Sequence, residues 1–377
     1  MGWLMALSPR ARRAVGVMVA ASIVIAGTAV YYLWPKLETS RSTAPSQAAH
    51  FPAQRHDQPG HYAFISPAVG LALDLLPEPR SNSGRYSVYR TVDAARHWRE
   101  VLTGNTASTA ATDSSFEFVD SAHAFLVADD PLVLYRSSDA GQHWMKVRLP
   151  SPEAVGVVFI DSRVGWAAAV GQGVPGYHLF SSRDAGATWT ALPDPPKGAD
   201  GPPAFRNASV GWSGAFDPNA AVVYLTRDGG QTWIPRHAPQ TPGARDLVTS
   251  VRLLPQEGVL VEVFTQSVFG GVVARFTTFD DGSTWSAVAE PFPGIPSPYE
   301  FQDANHWWLI GGVSLYKTAD GGRSWALAGR VPQGLELIGV IDAEHAWAFD
   351  DFGYGIGLAL TSNGGITWQH ANVPVPG

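Results

Sequence analysis

The chain has 377 residues, 45% of them hydrophobic and 16% charged, with a formal net charge of -7. That charge argues against a nucleic-acid partner, because binding a phosphate backbone needs a basic face. It contains no cysteine, and that removes disulfides, thiolate catalysis, cysteine metal sites and a cysteine-borne lipid anchor together.

Arg10, Arg12 and Arg13 precede an uncharged run of 21 residues from Ala14 to Trp34. As a helix this run spans about 31 Å, the thickness of a bilayer core. Tyr31, Tyr32 and Trp34 stand at its far end, where amphipathic rings favour the headgroup region. The expectation is a cytoplasmic N-terminus over 1–13 and a single transmembrane signal-anchor helix over 14–34. Everything after it then faces the periplasm or the cell surface. Cleavage after Gly27-Thr28-Ala29 is the competing reading, and it leaves the remainder on the same side. Residues 35–60, rich in Ser, Ala, Pro, Gln and His without periodicity, read as a flexible tether.

Residues 61–377 repeat one octapeptide seven times. It places Ser or Thr first, then Asp, Gly and Trp at fixed offsets. The Asp positions are Asp93, Asp139, Asp184, Asp228, Asp280 and Asp320, with Asn363 in the last copy. The tryptophans are Trp98, Trp144, Trp189, Trp233, Trp285, Trp325 and Trp368, spaced 46, 45, 44, 52, 40 and 43 residues apart. A period near that length marks a four-stranded propeller blade. A short β run such as Tyr86-Ser87-Val88-Tyr89 precedes each octapeptide and another strand-like stretch follows it, which makes the motif a hairpin turn. In it the carboxylate accepts backbone N–H groups and the glycine supplies a positive φ. Ala95 stands in the glycine's place in the first copy, so the first hairpin is expected to be strained.

A second repeat lies upstream of six of the boxes. Its clearest copies are Phe159-Ile160-Asp161 with Gly165-Trp166, Phe205-Arg206-Asn207 with Gly211-Trp212, Phe301-Gln302-Asp303 with Trp308, and Val340-Ile341-Asp342 with Trp347. It reads as a tight turn between two inner strands, and the fifth unit lacks it. The prediction is an all-β fold: a seven-bladed β-propeller of four-stranded antiparallel blades, behind one N-terminal transmembrane helix.

The Ser/Thr-x-Asp-x-Gly-x-Thr-Trp pattern resembles the Asp box (BNR-type repeat) of sialidases, the sortilin luminal domain and some glycoside hydrolases. Paired with the Phe-x-Asp-x-x-x-Gly-Trp pattern, it is most similar to the propellers of the photosystem II stability and assembly factor family. The resemblance covers roughly Tyr62 to Val375. It implies a non-enzymatic chaperone on the lumenal or periplasmic side of a membrane, with a membrane-protein client.

The box aspartates are read as structural, each committed to its own turn. His123, His306 and His345 occupy one place in the inner turns where Val69, Val164 and Val210 stand elsewhere. That place is expected to pack against neighbours rather than bind metal. No metal, cofactor or catalytic residue is assigned. Following the second strand of each blade to its end gives Asp74, Asp129, Asp130, Asp217, Asp350 and Asp351, with Phe352 and Tyr354 beside the last pair. On the face opposite the boxes they form a candidate acidic rim for a basic segment of a client protein, against the plainer reading of acids that start turns. Two alternatives stay open. A glycoside hydrolase could draw paired carboxylates from that rim. A carbohydrate-binding or adhesion module would need free aromatics, yet Trp166, Trp212, Trp308 and Trp347 repeat at an inner-strand position that signals core.

Overall fold

The computed structural model describes residues 62–77, 84–106, 115–128, 133–151, 154–170, 177–241, 243–265, 272–289, 299–335, 337–349 and 357–374. The predicted membrane span and tether lie outside them. Among the described residues no helix is long and apolar enough to cross a membrane.

These residues form antiparallel strands in consecutive units of four. The first unit is β1 (Tyr62–Phe64), β2 (Gly70–Pro77), β3 (Gly84–Thr91) and β4 (Arg99–Thr106). The second is β5 (Ser115–Phe118), β6 (Ala124–Ala128), β7 (Val133–Ser137) and β8 (Met145–Val147). The third comprises β9 (Ala154–Phe159), β10 (Gly165–Val170), β11 (Tyr177–Ser182) and β12 (Thr190–Ala191). The fourth has β13 (Ala199–Phe205), β14 (Gly211–Asp217), β15 (Val222–Thr226) and β16 (Ile234–His237). The fifth has β17 (Leu247–Leu253), β18 (Val259–Thr265), β19 (Val272–Thr278) and β20 (Ser286–Ala287). The sixth has β21 (Tyr299–Phe301), β22 (Trp307–Gly311), β23 (Ser314–Thr318) and β24 (Ala326–Arg330). The last is β25 (Leu337–Val340), β26 (Ala346–Phe349), β27 (Leu358–Thr361) and β28 (Gln369–Ala371). Within each unit, neighbours in sequence are neighbours in the sheet.

The inner strands carry most of the buried apolar residues and the outermost strands are largely exposed, as in β16 and β28. Apolar clusters join each unit to the next. Leu71 and Val88 meet Phe118 and Leu126, and Phe125 and Leu134 meet Phe159. Trp166 and Leu179 meet Phe205, and Trp212 and Leu225 meet Val251 and Val261. Leu254 and Leu260 meet Tyr299 and Trp307, while Trp308 and Leu315 meet Ile338 and Ala348. A further cluster sets Trp347, Phe349 and Leu358 of the last unit against Phe64 and Ala95 of the first. Stacked rings centre two of these contacts: Phe125 on Phe159 at 3.7 Å and Trp166 on Phe205 at 3.6 Å. Such a pair adds about 0.5–1.5 kcal/mol beyond its buried area.

The inner repeat explains itself here. Phe159 pairs with Gly165 and Phe205 with Gly211. A Cβ on either glycine would come within 2.5 Å of the facing ring. Glycine is required so that the ring can lie flat on the neighbouring backbone.

One departure breaks the regular plan. The last two residues of β14, Phe216 and Asp217, pair with Val248 and Leu247 of β17. The fourth and fifth units therefore share one eight-stranded sheet. The cause is local. β15 follows β14 only as far as Ser213↔Tyr224, while β13 keeps the other edge of β14 as far as Ala215. The freed end of β14 satisfies its backbone on β17. Thr249 completes the junction, accepting from Ala215 N–H at 2.8 Å and donating to Val222 C=O at 2.5 Å.

Candidate functional site

Where a unit carries both repeats, the box and the inner turn are hydrogen-bonded into one module. In the box, the carboxylate Oδ1 accepts the hydroxyl two residues before it and the N–H four residues after it. Oδ2 takes the side chain at that later position. Asp320 shows the set: Thr318 Oγ1 at 2.7 Å, Ser324 N–H at 2.9 Å and Ser324 Oγ at 2.6 Å. The Thr318 hydroxyl oxygen in turn accepts the N–H groups of Asp320 and Gly322. Asn363 keeps the scheme by donating Nδ2–H to Thr367 Oγ1 at 2.7 Å while its Oδ1 still accepts Thr367 N–H at 3.0 Å. The bonds from Ser324 side chain and backbone, then from Thr318, hold the Asp320 carboxyl down at about 2. The Thr188 side chain and backbone do the same for Asp184, also about 2. These acids are ionised and fully engaged with their own turns.

The box also needs more than its glycine. Two successive residues are left-handed in every copy, as in Ala140 (φ 56°) before Gly141 (φ 81°) and Asp281 (φ 58°) before Gly282 (φ 77°). In the first copy Ala94 and Ala95 hold φ 58° and 59° with no glycine to relieve them. That is the expected strain, of order 1–2 kcal/mol per residue. The first of the two left-handed residues donates its N–H to the inner turn of the same unit: Ala140 to Ala122 C=O, Ala185 to Arg163, Gly229 to Ser209, Gly321 to Asn305 and Gly364 to Glu344. The inner turns are capped by Asp120, Asp161, Asn207, Asp303 and Asp342, each accepting two successive N–H groups.

The neighbour that His123, His306 and His345 meet lies within their own turns. Each turns its Nδ1 back onto the capping carboxylate, at 2.8 Å from an oxygen of Asp120, Asp303 and Asp342 respectively. Their repetition reflects this short loop, where a ring three residues after an Asp reaches its carboxylate. Among the described residues no group of three or more His, Asp or Glu side chains could hold a metal ion.

The seams between units carry a feature that the sequence reading missed. The residue just before the box Ser/Thr reaches across to the carbonyls of the next box. Arg90 Nε donates to Ala140 C=O at 2.7 Å, and Arg136 Nη1 to Asp184 and Ala185 C=O, both at 3.2 Å. Lys317 Nζ donates to Gly364 C=O at 2.8 Å and sits 3.2 Å above the centre of the Trp308 ring. At the fifth box the equivalent carbonyl, Asp281, is reached by Arg236 Nε at 2.7 Å. The third unit has Ser181 at this position, paired across the sheet with Trp166. Trp166 Nε1 donates to Gly229 C=O at 3.1 Å. Beside it opens a cleft of about 310 Å³ whose walls include Trp166, Ser181, Asp184, Asp228 and Gly229.

The predicted acidic rim is only partly within the described residues. Asp129, Asp130, Asp350, Asp351, Phe352 and Tyr354 lie outside them. Asp74 is not at the end of its strand: β2 runs on to Pro77, and Asp74 pairs with Ser87. Burial, and then the charge of Asp74, push the Tyr62 hydroxyl up. Asp217 does end β14, and its Oδ1 accepts Asn219 and Ala220 N–H at 2.8 and 2.9 Å. The geometry at Asp217 is that of a turn-starting acid. The four inner-strand tryptophans are core, at 2% exposure or less, and offer no open ring for a sugar.

Residues 90–263 match the family model described as photosynthesis system II assembly factor YCF48. The photosystem II assembly lipoprotein Ycf48 of Synechococcus sp. (strain CC9902) is 27% identical over 319 residues, covering 81% of this chain and 87% of its own. Among solved structures, YCF48 bound to D1 peptide matches with a TM-score of 0.51 at 15% identity, over 86% of this chain and 97% of that one. The GH74 xyloglucanase from Xanthomonas campestris matches with a TM-score of 0.50 at 13% identity, over 84% and 61%. At those identities the solved structures speak to the fold alone, and the fold is that of a propeller. By sequence the chain is similar to the photosystem II assembly factors, as the paired repeats imply. The sequence matches are to an assembly factor and not to an enzyme, and the glycosidases enter only as a likeness of fold.

Proposed function

We propose that this chain is a membrane-anchored, extracytoplasmic propeller of seven blades that serves as a non-catalytic binding or assembly scaffold for another protein. The observation that carries the role is the similarity to an assembly lipoprotein over four-fifths of the chain, at 81% coverage. The box carboxylates support it too, because each is hydrogen-bonded within its own turn. The blade count rests on the four-stranded units and on the apolar cluster between the last unit and the first. The domain limits follow the sequence: cytoplasmic 1–13, anchor helix 14–34, tether 35–60 and propeller 61–377. With no cysteine in the chain, the anchor is the helix rather than a lipid. The client surface is the acidic rim, with Asp129, Asp130, Asp350 and Asp351 receiving a basic segment of a membrane protein.

A pull-down of the full chain from detergent-solubilised membranes, read by mass spectrometry, identifies the client. Charge reversal at Asp129, Asp130, Asp350 and Asp351 is expected to abolish capture while the thermal transition stays in place. Capture that survives the reversal removes the rim from the proposal. The absence of any reproducible protein partner removes the scaffold role.

A further inference from the structure

We infer that the cleft between the third and fourth units is a receptor for a cationic side chain, an arginine by preference, supplied by a partner polypeptide. The warrant is internal. At three other seams this chain fills the same position itself, with Arg90, Arg136 and Lys317, and each donates to a carbonyl of the next box. The sixth unit gives the nearest template. Lys317 lies across the sheet from Trp308, over its ring, and bonds Gly364 C=O. The third unit also has a tryptophan across the sheet, Trp166, and a box carbonyl beyond it, Gly229 C=O, but Ser181 in place of the cation; here Trp166 lies flat on Phe205 and itself donates to Gly229 C=O. A serine hydroxyl stops several bonds short of where an ammonium or guanidinium ends, and the space it leaves is the open cleft.

The chemistry at the end of that cleft suits a cation. Gly229 C=O has accepted one hydrogen bond, from Trp166, and a carbonyl has a second lone pair. Asp184 and Asp228 stand in the walls and their hydrogen bonds hold both below the ordinary carboxylate range. Arg183, which is exposed, also borders the cleft, so the walls carry one positive and two negative charges. A planar guanidinium is weakly hydrated and presents several N–H donors in a fixed fork, which makes it a better occupant than an ammonium. The binding role proposed above supplies the source of this side chain, while the preference of the cleft can be measured without it.

The test uses the full chain in detergent and a blocked arginine, N-acetyl-arginine amide, in calorimetric titration, with the blocked citrulline as its uncharged isostere. The wild-type chain is expected to bind the arginine at least about tenfold more tightly than the citrulline, since a charged donor makes the stronger hydrogen bond. Ser181→Arg fills the cleft with the chain's own guanidinium, as Arg136 does one seam earlier. It is expected to raise the thermal midpoint and remove the binding. Ser181→Leu is the companion variant, because Leu225 and Leu360 hold this position in the fourth and last units. It is expected to fold and to lose the binding as well. Equal affinity for arginine and citrulline, or undiminished arginine binding in Ser181→Leu, overturns the inference. Neither result bears on the pull-down, so loss of the scaffold role and loss of this cleft are told apart.

Discussion

Replacing Asp320 by Ala removes three hydrogen bonds to one carboxylate: from Thr318 Oγ1, Ser324 N–H and Ser324 Oγ. Hydrogen bonds to a charged acceptor contribute about 1.5–3 kcal/mol each when buried. This carboxylate is partly exposed and the freed N–H of Ser324 can rehydrate, so the three together are expected to cost about 2–3 kcal/mol. Asp320→Asn is the control that nature has already run at position 363. Asn363 keeps the N–H bond on Oδ1 and replaces the second carboxylate oxygen by an Nδ2 donor to Thr367 Oγ1. It is expected to cost under about 1 kcal/mol, because the lost charge is compensated by a retained bond. Urea denaturation at pH 7 reads both. The sign with pH follows from the lowered carboxyl. The folded value is about 2 against an ordinary carboxylate value of 3.8, so the charge-dependent part of the stabilisation is present above the unfolded value and fades as pH falls through the folded one. The gap between wild type and Asp320→Ala should therefore narrow between about pH 4 and pH 2, where the carboxylate takes up its proton. Asp320→Asn should show no such titration at this site. Equal losses for the Ala and Asn variants at pH 7 would refute the account of the box as a hydrogen-bonded turn.

Other substitutions probe other parts of the frame. Gly141→Ala adds a methyl at φ 81° and 2.7 Å from Leu71 Cδ2, and is expected to cost about 1–3 kcal/mol by denaturant titration. Glu262 and Arg275 form an ion pair at 2.6 Å with both side chains 1% exposed. Glu262→Leu alone should cost about 3–5 kcal/mol, whereas Glu262→Leu with Arg275→Met should recover most of it, in a double-mutant cycle. Arg136→Ser is expected to open at the preceding seam a counterpart of the Ser181 cleft, lowering the midpoint of thermal unfolding by a few degrees, for a loss on the order of 1–2 kcal/mol.

What the sequence made legible is what repeats. The octapeptide gave the hairpin, the Asp carboxylate its turn, and the Phe–Gly pairing its inner strands, because each residue acts within a few positions of itself. The left-handed residue before each box glycine was hidden, since Ala, Gly and Asp all occupy it and only the backbone reveals the shared φ. The bond from that residue to the inner turn was hidden too, because it joins segments that the sequence presents separately. The residues spanning the seams left the faintest trace. Arg90, Arg136 and Lys317 share one position, but Ser, Leu, Thr and Leu hold it in the other units, and only the structure shows which carbonyl each cation reaches. The histidines were legible in part. Their regular placement suggested packing against neighbours, and the neighbour is a local one, an Asp three residues earlier. Asp217 could be read as a rim acid or as the start of a turn, because the strand does end there, and its carboxylate accepts two N–H groups of the next turn.

The backbone ladder between β14 and β17 bears on how the molecule is made. As the chain leaves the ribosome, Phe216 and Asp217 emerge some thirty residues before Val248 and Leu247, their partners. Until the first strand of the fifth unit arrives, the end of β14 lacks the strand that pairs with Phe216 and Asp217. The fourth and fifth units should then set together as one cooperative block, while the remaining units add to their neighbours mainly through side chains. Pulsed hydrogen exchange on nascent or refolding chains would show protection of β14 and β17 appearing in the same step.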